Sequence, residues 1–565
     1  MDAKKEYQLW LDNCEGELLE ELKALQGNDT EIQRRFGSHA AFGTAGIRSI
    51  MGAGTAYLND LTVRRTARGL AQYLLASGGS KTCAIGYDCR NNSRRFAEVC
   101  AAALAAEGIK VWLYDRLCPT PMLSFAVRYL KTGVGMVISA SHNTKEYNGL
   151  KCYGPDGGQM TEIPAAAVSK AIGEQDMFAP EKESYESLLQ KGMIEYIPQS
   201  VWNAYYDRIW LEAIAPETVK KAGLKVVYSP LCGAGGEPVS EILNRLGADF
   251  TVTASQAKPS GEFETCPNPN PEHDSAFAES YALAEQVKPD IVMATDPDSD
   301  RIAVAIPTKD GFRKFSGNEM GCLLLDYILS ALEKAGKLPK DPVAVKSVVS
   351  TPLADRVASA YGVSVRTVLT GFKYIGGVIL ELEEAGCPER FVLGFEESCG
   401  YLKGDYARDK DAVIAAMLIA EMAATYKLQG KTLGDVMDAL YAKYGYYVAG
   451  IENINFTSDE QKAKCMALLE QFRAQPPKEM GGFAVSAVAD FKAGIITDAV
   501  TGETAPTGLP TENMVMLTLG EKGRIILRPS GTEPKIKFYY TAVANSLEEA
   551  NAMIGTMNDA MKAQL

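Results

Sequence analysis

Three stretches of the chain repeat one order of apolar and polar positions. Each has an apolar, β-rich run, a polar loop of Gly, Pro or Ser, a helical stretch of Ala, Leu and Glu, a glycine, and a second β-rich run. The first copy runs from 83–88 (CAIGYD) to 108–111, the second from 224–229 (LKVVYS) to 247–250, and the third from 343–348 (VAVKSV) to 362–365. Such runs predict strands bracketing helices. The strand-to-helix distances differ between copies, which excludes a fixed-period solenoid and predicts three related mixed α/β domains in series.

Beyond about residue 446 the pattern changes. A helix is predicted over 462–471, paired strands over 514–517 and 524–527, and a closing helix over 547–562, so the chain ends in a smaller α+β domain. A length of 565 residues exceeds what one core can organise and predicts about three to five domains. The boundaries are drawn at 1–200, 201–322, 323–445 and 446–565, each placed to within about ten residues.

Composition narrows the function. With 46% hydrophobic and 23% charged residues the chain is ordinary globular material. Lys and Arg number 58 against 71 Asp and Glu, a net charge of −13, and no domain is strongly basic, so nucleic acid is not an expected partner. The 12 cysteines are scattered from Cys14 to Cys465 without a C-x-x-C pair, which predicts neither a zinc cluster nor a disulfide framework and fits a reducing cytoplasm. The first residues carry no apolar signal core, and no run of 18 apolar residues occurs. A soluble, unexported protein without a membrane partner is expected.

Several strand ends carry chemistry. Residues 136–143 (MVISASHN) form an apolar strand that delivers a small polar cluster, where Ser141 is expected to stand exposed as a nucleophile or phosphate carrier. A plain Ser/Asn turn is the competing reading. The chain has three histidines, His39, His142 and His273, so a base beside Ser141 carries weight; no G-x-S-x-G elbow marks a hydrolase. Residues 291–301 (IVMATDPDSDR) run from a strand into Asp296, Asp298 and Asp300. Three carboxylates at alternate positions of an extended segment can converge on one face and need a cation, for which Mg²⁺ is suited. An EF-hand is excluded, because Arg301 and Pro307 stand where Gly and a bidentate Glu are required. The stretch 528–534 (RPSGTEP) offers a guanidinium, two hydroxyls and backbone N–H groups shaped for an anion, or else forms a plain tight turn. Residues 394–400 (GFEESCG) offer acceptors for sugar hydroxyls, or else a solvated acidic turn. The loop 42–48 (FGTAGIR) ends in Arg48.

Taken in order, F-G-T-A-G-I-R, S-A-S-H-N, D-P-D-S-D-R, G-F-E-E-S and R-P-S-G-T-E resemble the α-D-phosphohexomutase superfamily, and most of all its bacterial phosphoglucomutase branch. The resemblance covers nearly the whole chain. It implies four domains around one deep cleft, an intramolecular phosphotransferase activity, and reversible interconversion of glucose 1-phosphate and glucose 6-phosphate through a phosphoserine enzyme and glucose 1,6-bisphosphate. Ser141 would be the phosphoserine, with Asp296, Asp298 and Asp300 binding Mg²⁺ together with its phosphate. His142 and Lys151 would assist proton transfer, and Arg48 and Arg301 would balance charge on the moving group. Lys373, Glu396 and Ser398 would hold the sugar, while Arg528, Ser530, Gly531 and Thr532 would anchor the phosphate that is not reacting. Thr144, Ala45 and Phe395 depart from common family residues, which leaves mannose or pentose phosphates as alternative substrates. An alternative from another class is a Mg-dependent phosphatase with Asp296 as nucleophile.

Overall fold

The computed structural model describes residues 1–43, 46–456, 458–530 and 535–565. Three short helices, Ala3–Asn13, Gly16–Ala24 and Asp29–Phe36, open the chain and pack around Trp10 and Phe36 in a small apolar cluster of their own.

Three sheets follow, and they share a core of four strands. In the first, the central strand Thr82–Tyr87 lies parallel to Lys110–Leu113 on one side and to Val134–Ile138 on the other, and Tyr147–Tyr153 then returns antiparallel to Val134–Ile138. The second repeats this with Lys225–Ser229 between Asp249–Val252 and Ile291–Thr295, and with Ile302–Thr308 returning. The third uses Val343–Ser347 between Ser364–Val368 and Phe391–Glu396, with Gly400–Leu402 returning. These are the three units whose pattern the sequence repeats. The central strands read as continuous apolar runs because helices cover both faces of a parallel sheet.

The fourth sheet is antiparallel and seven-stranded, from Tyr446–Asn455 to Thr504–Pro506. The strands Val515–Thr518 and Gly523–Pro529 pair antiparallel, and the helices Asp459–Ala474 and Leu547–Lys562 flank the sheet's core. Three α/β units in series and a C-terminal α+β unit are therefore present.

Two of the boundaries drawn from sequence cut continuous helices. That at 200/201 falls inside Gln199–Trp210 and that at 322/323 inside Gly317–Lys334; the nearest non-helical positions are the caps Pro198 and Ser316. Neither helix announces its start by a composition shift, because each continues the core of the neighbouring unit. One apolar cluster holds Tyr114, Trp202, Val227, Leu324 and Met417 together, so packing fixes the first three units against one another. The helix Ala412–Lys427 runs through this cluster and is buried along most of its length, which explains its apolar composition. Among the described residues no helix is long and apolar enough to cross a membrane. All twelve cysteines are free thiols.

Candidate active site

The repeated topology places three different chemistries at one recurrent position. In each unit the turn between the third strand and its antiparallel return lies at the carboxyl end of the parallel strands, the usual side for a ligand. These turns are 139–146, 296–301 and 397–399. Each holds a non-glycine residue in the left-handed region: Ser141 at φ 52°, Ser299 at φ 51° and Cys399 at φ 64°. Such conformations cost about 1–3 kcal/mol and persist where surrounding structure enforces them. The turns open into one cleft of about 1000 Å³, whose walls include Arg48, Ser141, Asp300, Glu396 and Arg528.

Ser141 does not stand exposed at its strand end. It is 2% accessible, because the second unit's aspartate loop closes over it. Its Oγ donates to Asp296 Oδ2 at 2.9 Å and lies 3.1 Å from His142 Nδ1. Its N–H donates to Ser139 Oγ at 2.8 Å, and that hydroxyl donates to Asp298 Oδ2 at 3.1 Å. Enclosure and the charges of Arg301 and Arg48 hold the His142 imidazole far below its ordinary basicity, so it is neutral.

The three aspartates converge, but through a turn and not through an extended segment. Ser299 N–H donates to the Asp296 carbonyl at 2.9 Å, and the left-handed Ser299 swings Asp300 back beside its partners. One oxygen from each carboxylate lies within 4.8 Å of the others, and all three residues are buried. Asp298 Oδ2 accepts from Lys151 Nζ at 2.7 Å and from Thr120 Oγ1 at 3.0 Å. Lys151 also reaches Asp300 Oδ2 at 3.1 Å. Burial works to raise the Asp298 carboxyl, but Lys151 and Lys410 outweigh it and hold it below the usual range. Among the described residues Asp298 Oδ1 and Asp300 Oδ1 are buried with no hydrogen-bond donor, an arrangement that suits a bound cation. Three hard oxygen donors with two oxygens left over fit a divalent metal ion.

Lys410 is a residue that sequence reasoning missed. Its Nζ lies 2.8 Å from Asp300 Oδ2 and 3.4 Å from Asp409 Oδ1, so two ammonium groups face the carboxylates. The available signal was the run Arg408-Asp409-Lys410-Asp411, four charged residues directly ahead of an apolar helix and all of them buried. Thr370 was also missed: it lines the cleft, and its buried hydroxyl has no partner among the described residues.

The far wall holds the remaining groups. Glu396 is buried and accepts the Gly371 N–H at 2.7 Å. Burial, then the charge of Glu396, pushes Glu397 up to about 7, and Ser347 Oγ donates to it at 3.1 Å. This segment is thus built into the wall and is not a solvated turn. Ser398 lines the cleft. Lys373 does not join them. It lies at the start of the helix Phe372–Glu384 and pairs with Glu162 of the first unit at 2.6 Å, an oxygen that Tyr374 Oη also reaches at 2.7 Å. Arg528 comes from the end of the strand Gly523–Pro529 and is steadied by Glu512 at 3.2 Å. Ser530 N–H donates to the Lys535 carbonyl at 2.9 Å. Gly531 and Thr532, and Thr44 and Ala45 of the front loop, lie outside the described residues. Arg48 donates to Asn143 Oδ1 at 3.0 Å, and Arg301 to Glu272 Oε1 at 2.8 Å.

A serine set against three carboxylates and flanked by lysines and arginines, in a cleft that Arg528 also lines, defines an enzyme of the phosphoryl-transfer class on a four-part α/β scaffold. The particular family follows from comparison with known proteins. Four models described as phosphoglucomutase/phosphomannomutase match in order: α/β/α domain I at 39–178, domain II at 203–310, domain III at 316–444 and the C-terminal domain at 499–553. The chain is 36% identical over 557 residues to a phosphoglucomutase of Staphylococcus epidermidis, covering 98% of this chain and 99% of that one. Against a phosphoglucomutase of Staphylococcus aureus it is 35% identical over 560 residues, with the same coverage. The solved structure of a phosphoglucomutase/phosphomannomutase family protein from Burkholderia thailandensis shares the fold at a TM-score of 0.68 and 19% identity, covering 93% of this chain and 98% of that one. The chain belongs to the phosphoglucomutase/phosphomannomutase family of phosphohexomutases. These matches lend no support to a phosphatase with Asp296 as nucleophile. Asp296 is also occupied otherwise, since Oδ1 accepts from the backbone N–H groups of Asp300 and Arg301 and Oδ2 from Ser141.

Proposed function

We propose that this protein is a phosphoglucomutase that interconverts glucose 1-phosphate and glucose 6-phosphate, with Ser141 as the phosphoryl carrier. The observation that carries this reading is the pairing of Ser141 Oγ with Asp296 at 2.9 Å in a cleft that Arg528 of the fourth unit also lines. A phosphatase needs one phosphate site; a mutase needs a transfer site and a distant anchor, because its bisphosphate intermediate carries phosphate at both ends.

Asp296, Asp298 and Asp300 would hold Mg²⁺, which when bound draws charge from the transferring phosphoryl group. The chain's own residues do the rest. A sugar hydroxyl gives its proton to a base and forms a bond to the phosphorus of phosphoserine as the Ser141 Oγ–P bond breaks, and the released Ser141 Oγ takes up a proton, transfers that His142 would assist. Arg48, Arg301 and Lys151 surround that position and offset its negative charge. In the return step Ser141 Oγ must lose a proton, and His142 Nδ1, 3.1 Å away, would assist that transfer. Glu396 and Ser398 would orient the sugar, and Arg528 with Ser530, Gly531 and Thr532 would hold the idle phosphate. The bisphosphate, glucose 1,6-bisphosphate, turns over inside the cleft before its second phosphate returns to Ser141. Twelve free thiols suit a reducing cytoplasm.

The test is a panel of glucose, mannose, glucosamine and pentose 1-phosphates, each primed with its matching bisphosphate and followed by a coupled assay. Turnover is expected to be highest on glucose 1-phosphate. Release of free phosphate as the main product would overturn mutase chemistry, and preference for another sugar would correct the substrate.

A further inference from the structure

The turn that carries Ser141 is the longest of the three equivalent turns, 139–146 against 296–301 and 397–399, and it holds its serine in a left-handed conformation. A long turn of this kind does not hold a side chain to within a few tenths of an ångström by itself. Something outside it must take up its carbonyl groups, and one side chain does.

The guanidinium of Arg90 donates to three of those carbonyls and to that of Tyr147, where the returning strand begins. Nη2 donates to Ser141 O at 2.6 Å and to Asn143 O, while Nη1 donates to Thr144 O at 2.9 Å and to Tyr147 O at 3.1 Å. Arg90 follows the central strand Thr82–Tyr87 and is 3% accessible. Its own position is fixed from two sides. On its own unit, Asp88 Oδ2 lies 3.4 Å from Nε, and Asp88 Oδ1 accepts the Arg90 N–H at 3.0 Å and Ser93 Oγ at 2.7 Å. From the second unit, the Phe263 ring packs 5.1 Å from the guanidinium carbon. That contact is pressed close: a side chain at Gly261 would collide with the backbone of Asn91, and Glu262 accepts from both Asn91 and Lys145.

The equivalent positions of the other units carry no such group. The residues after their central strands are Pro230, Leu231 and Cys232 in one and Val348, Val349 and Ser350 in the other. The clamp is therefore peculiar to the serine loop, not a feature of the shared fold. Only an arginine can make it, because a planar fork of five N–H donors reaches several carbonyls at once where an ammonium is a single point.

We infer that Arg90 is the positioning residue of the phosphoryl-carrying loop, setting Ser141 Oγ against Asp296 and tying that register to the seat of the second unit on the first. Arg90 touches neither substrate nor the reacting oxygen. It acts through the backbone of Ser141, Asn143, Thr144 and Tyr147. The inference rests on the proposed role of Ser141 for its effect on turnover, but the clamp itself can be read without any activity.

The experiment compares wild type with Arg90→Lys and Arg90→Met by hydrogen exchange and by bisphosphate-primed kinetics on glucose 1-phosphate. Amides of 139–147 are expected to exchange at least about tenfold faster in both variants, with those of Thr82–Tyr87 unchanged. The kcat is expected to fall about 100-fold, the cost of misplacing a reacting group by about 1 Å, with KM within about threefold. Asp88→Asn keeps the guanidinium but loosens its anchor. It should shift both readouts the same way by a smaller factor, and it decides the question if the Arg90 variants do not fold. Unchanged exchange in 139–147, faster exchange spread evenly over the unit, or a kcat in Arg90→Lys within about twofold of wild type would overturn the assignment. Absence of mutase turnover in wild type would overturn the proposed function instead, and hydrogen exchange would then decide the clamp alone.

Discussion

Ser141 Oγ donates a hydrogen bond to Asp296 Oδ2 at 2.9 Å, joining residues 155 positions apart on two separately formed sheets. Removing the hydroxyl removes the carrier and leaves the sheets as they are. Ser141→Ala is expected to abolish mutase turnover in a coupled assay while its thermal unfolding stays near that of wild type. Intact-protein mass should lose the species bearing one phosphate. Substantial mutase activity in this variant would exclude Ser141 as carrier.

Among the described residues Asp298 Oδ1 and Asp300 Oδ1 are buried without hydrogen-bond donors beside Asp296. Treatment with EDTA is expected to lower activity by orders of magnitude, and Mg²⁺ to restore it. Binding to the folded state alone raises stability by about 2.7 kcal/mol at 100 times the dissociation constant, so Mg²⁺ should raise Tm. Asp298→Asn should lose that rise. A chelator-insensitive wild type would contradict the metal assignment.

Lys410 faces Asp300 at 2.8 Å and Asp409 at 3.4 Å inside the protein. Lys410→Met leaves two buried carboxylates short of a counter-charge, and breaking such a pair costs about 3–5 kcal/mol. Urea unfolding should show a loss of that order, together with loss of turnover. Wild-type stability in the variant would show that Lys151 alone balances the cluster.

Glu421 lies in the central helix, fully buried, with Oε2 accepting the N–H groups of Ile214 and Ala215 at 2.9 and 3.0 Å and Oε1 without a partner among the described residues. Burial pushes it up to about 7. The folded state therefore holds a proton that the unfolded state releases near pH 4.5, so this group costs nothing below that pH. Stability falls as pH rises from about 4.5 to about 7, by an amount on the order of 3 kcal/mol, and is level above. Glu421→Gln keeps the two accepted hydrogen bonds. Its Tm should exceed that of wild type at pH 8 and converge with it near pH 5; a constant difference across that range would refute the assignment.

Lys373 bonds to Glu162, and so does Tyr374. Lys373→Ala and Glu162→Gln are expected to leave kcat within about threefold and to be non-additive in combination, with a coupling of about 0.5–3 kcal/mol in stability. A large rise in KM for Lys373→Ala alone would return this lysine to the sugar site.

Much of this architecture was legible from the chain. The repeated apolar runs foretold three α/β units because strand periodicity is local, and the closing helix over 547–562 was read at its observed limits, Leu547–Lys562. The helices Gln199–Trp210 and Gly317–Lys334 were cut by the drawn boundaries, although Ser316 and Glu319 form a capping box that marks where the second of them starts. The aspartates were recognised, but their convergence was attributed to an extended segment; a single left-handed Ser299 makes it instead, and backbone handedness at a serine is not written in its type.

Residue chemistry along the chain determined which groups could act: a serine at a strand end, three carboxylates in five positions, arginines at the front and back. It determined this because each motif is short and its chemistry travels with it. Which groups meet was decided by tertiary structure. Folding buried Ser141 against Asp296, drew in Lys410 from 110 positions beyond Asp300, set Arg90 under the serine loop, and turned Lys373 toward Glu162. Those contacts depend on how loops and sheets pack, and packing partners from 51 to 211 residues apart leave no local pattern from which to read them.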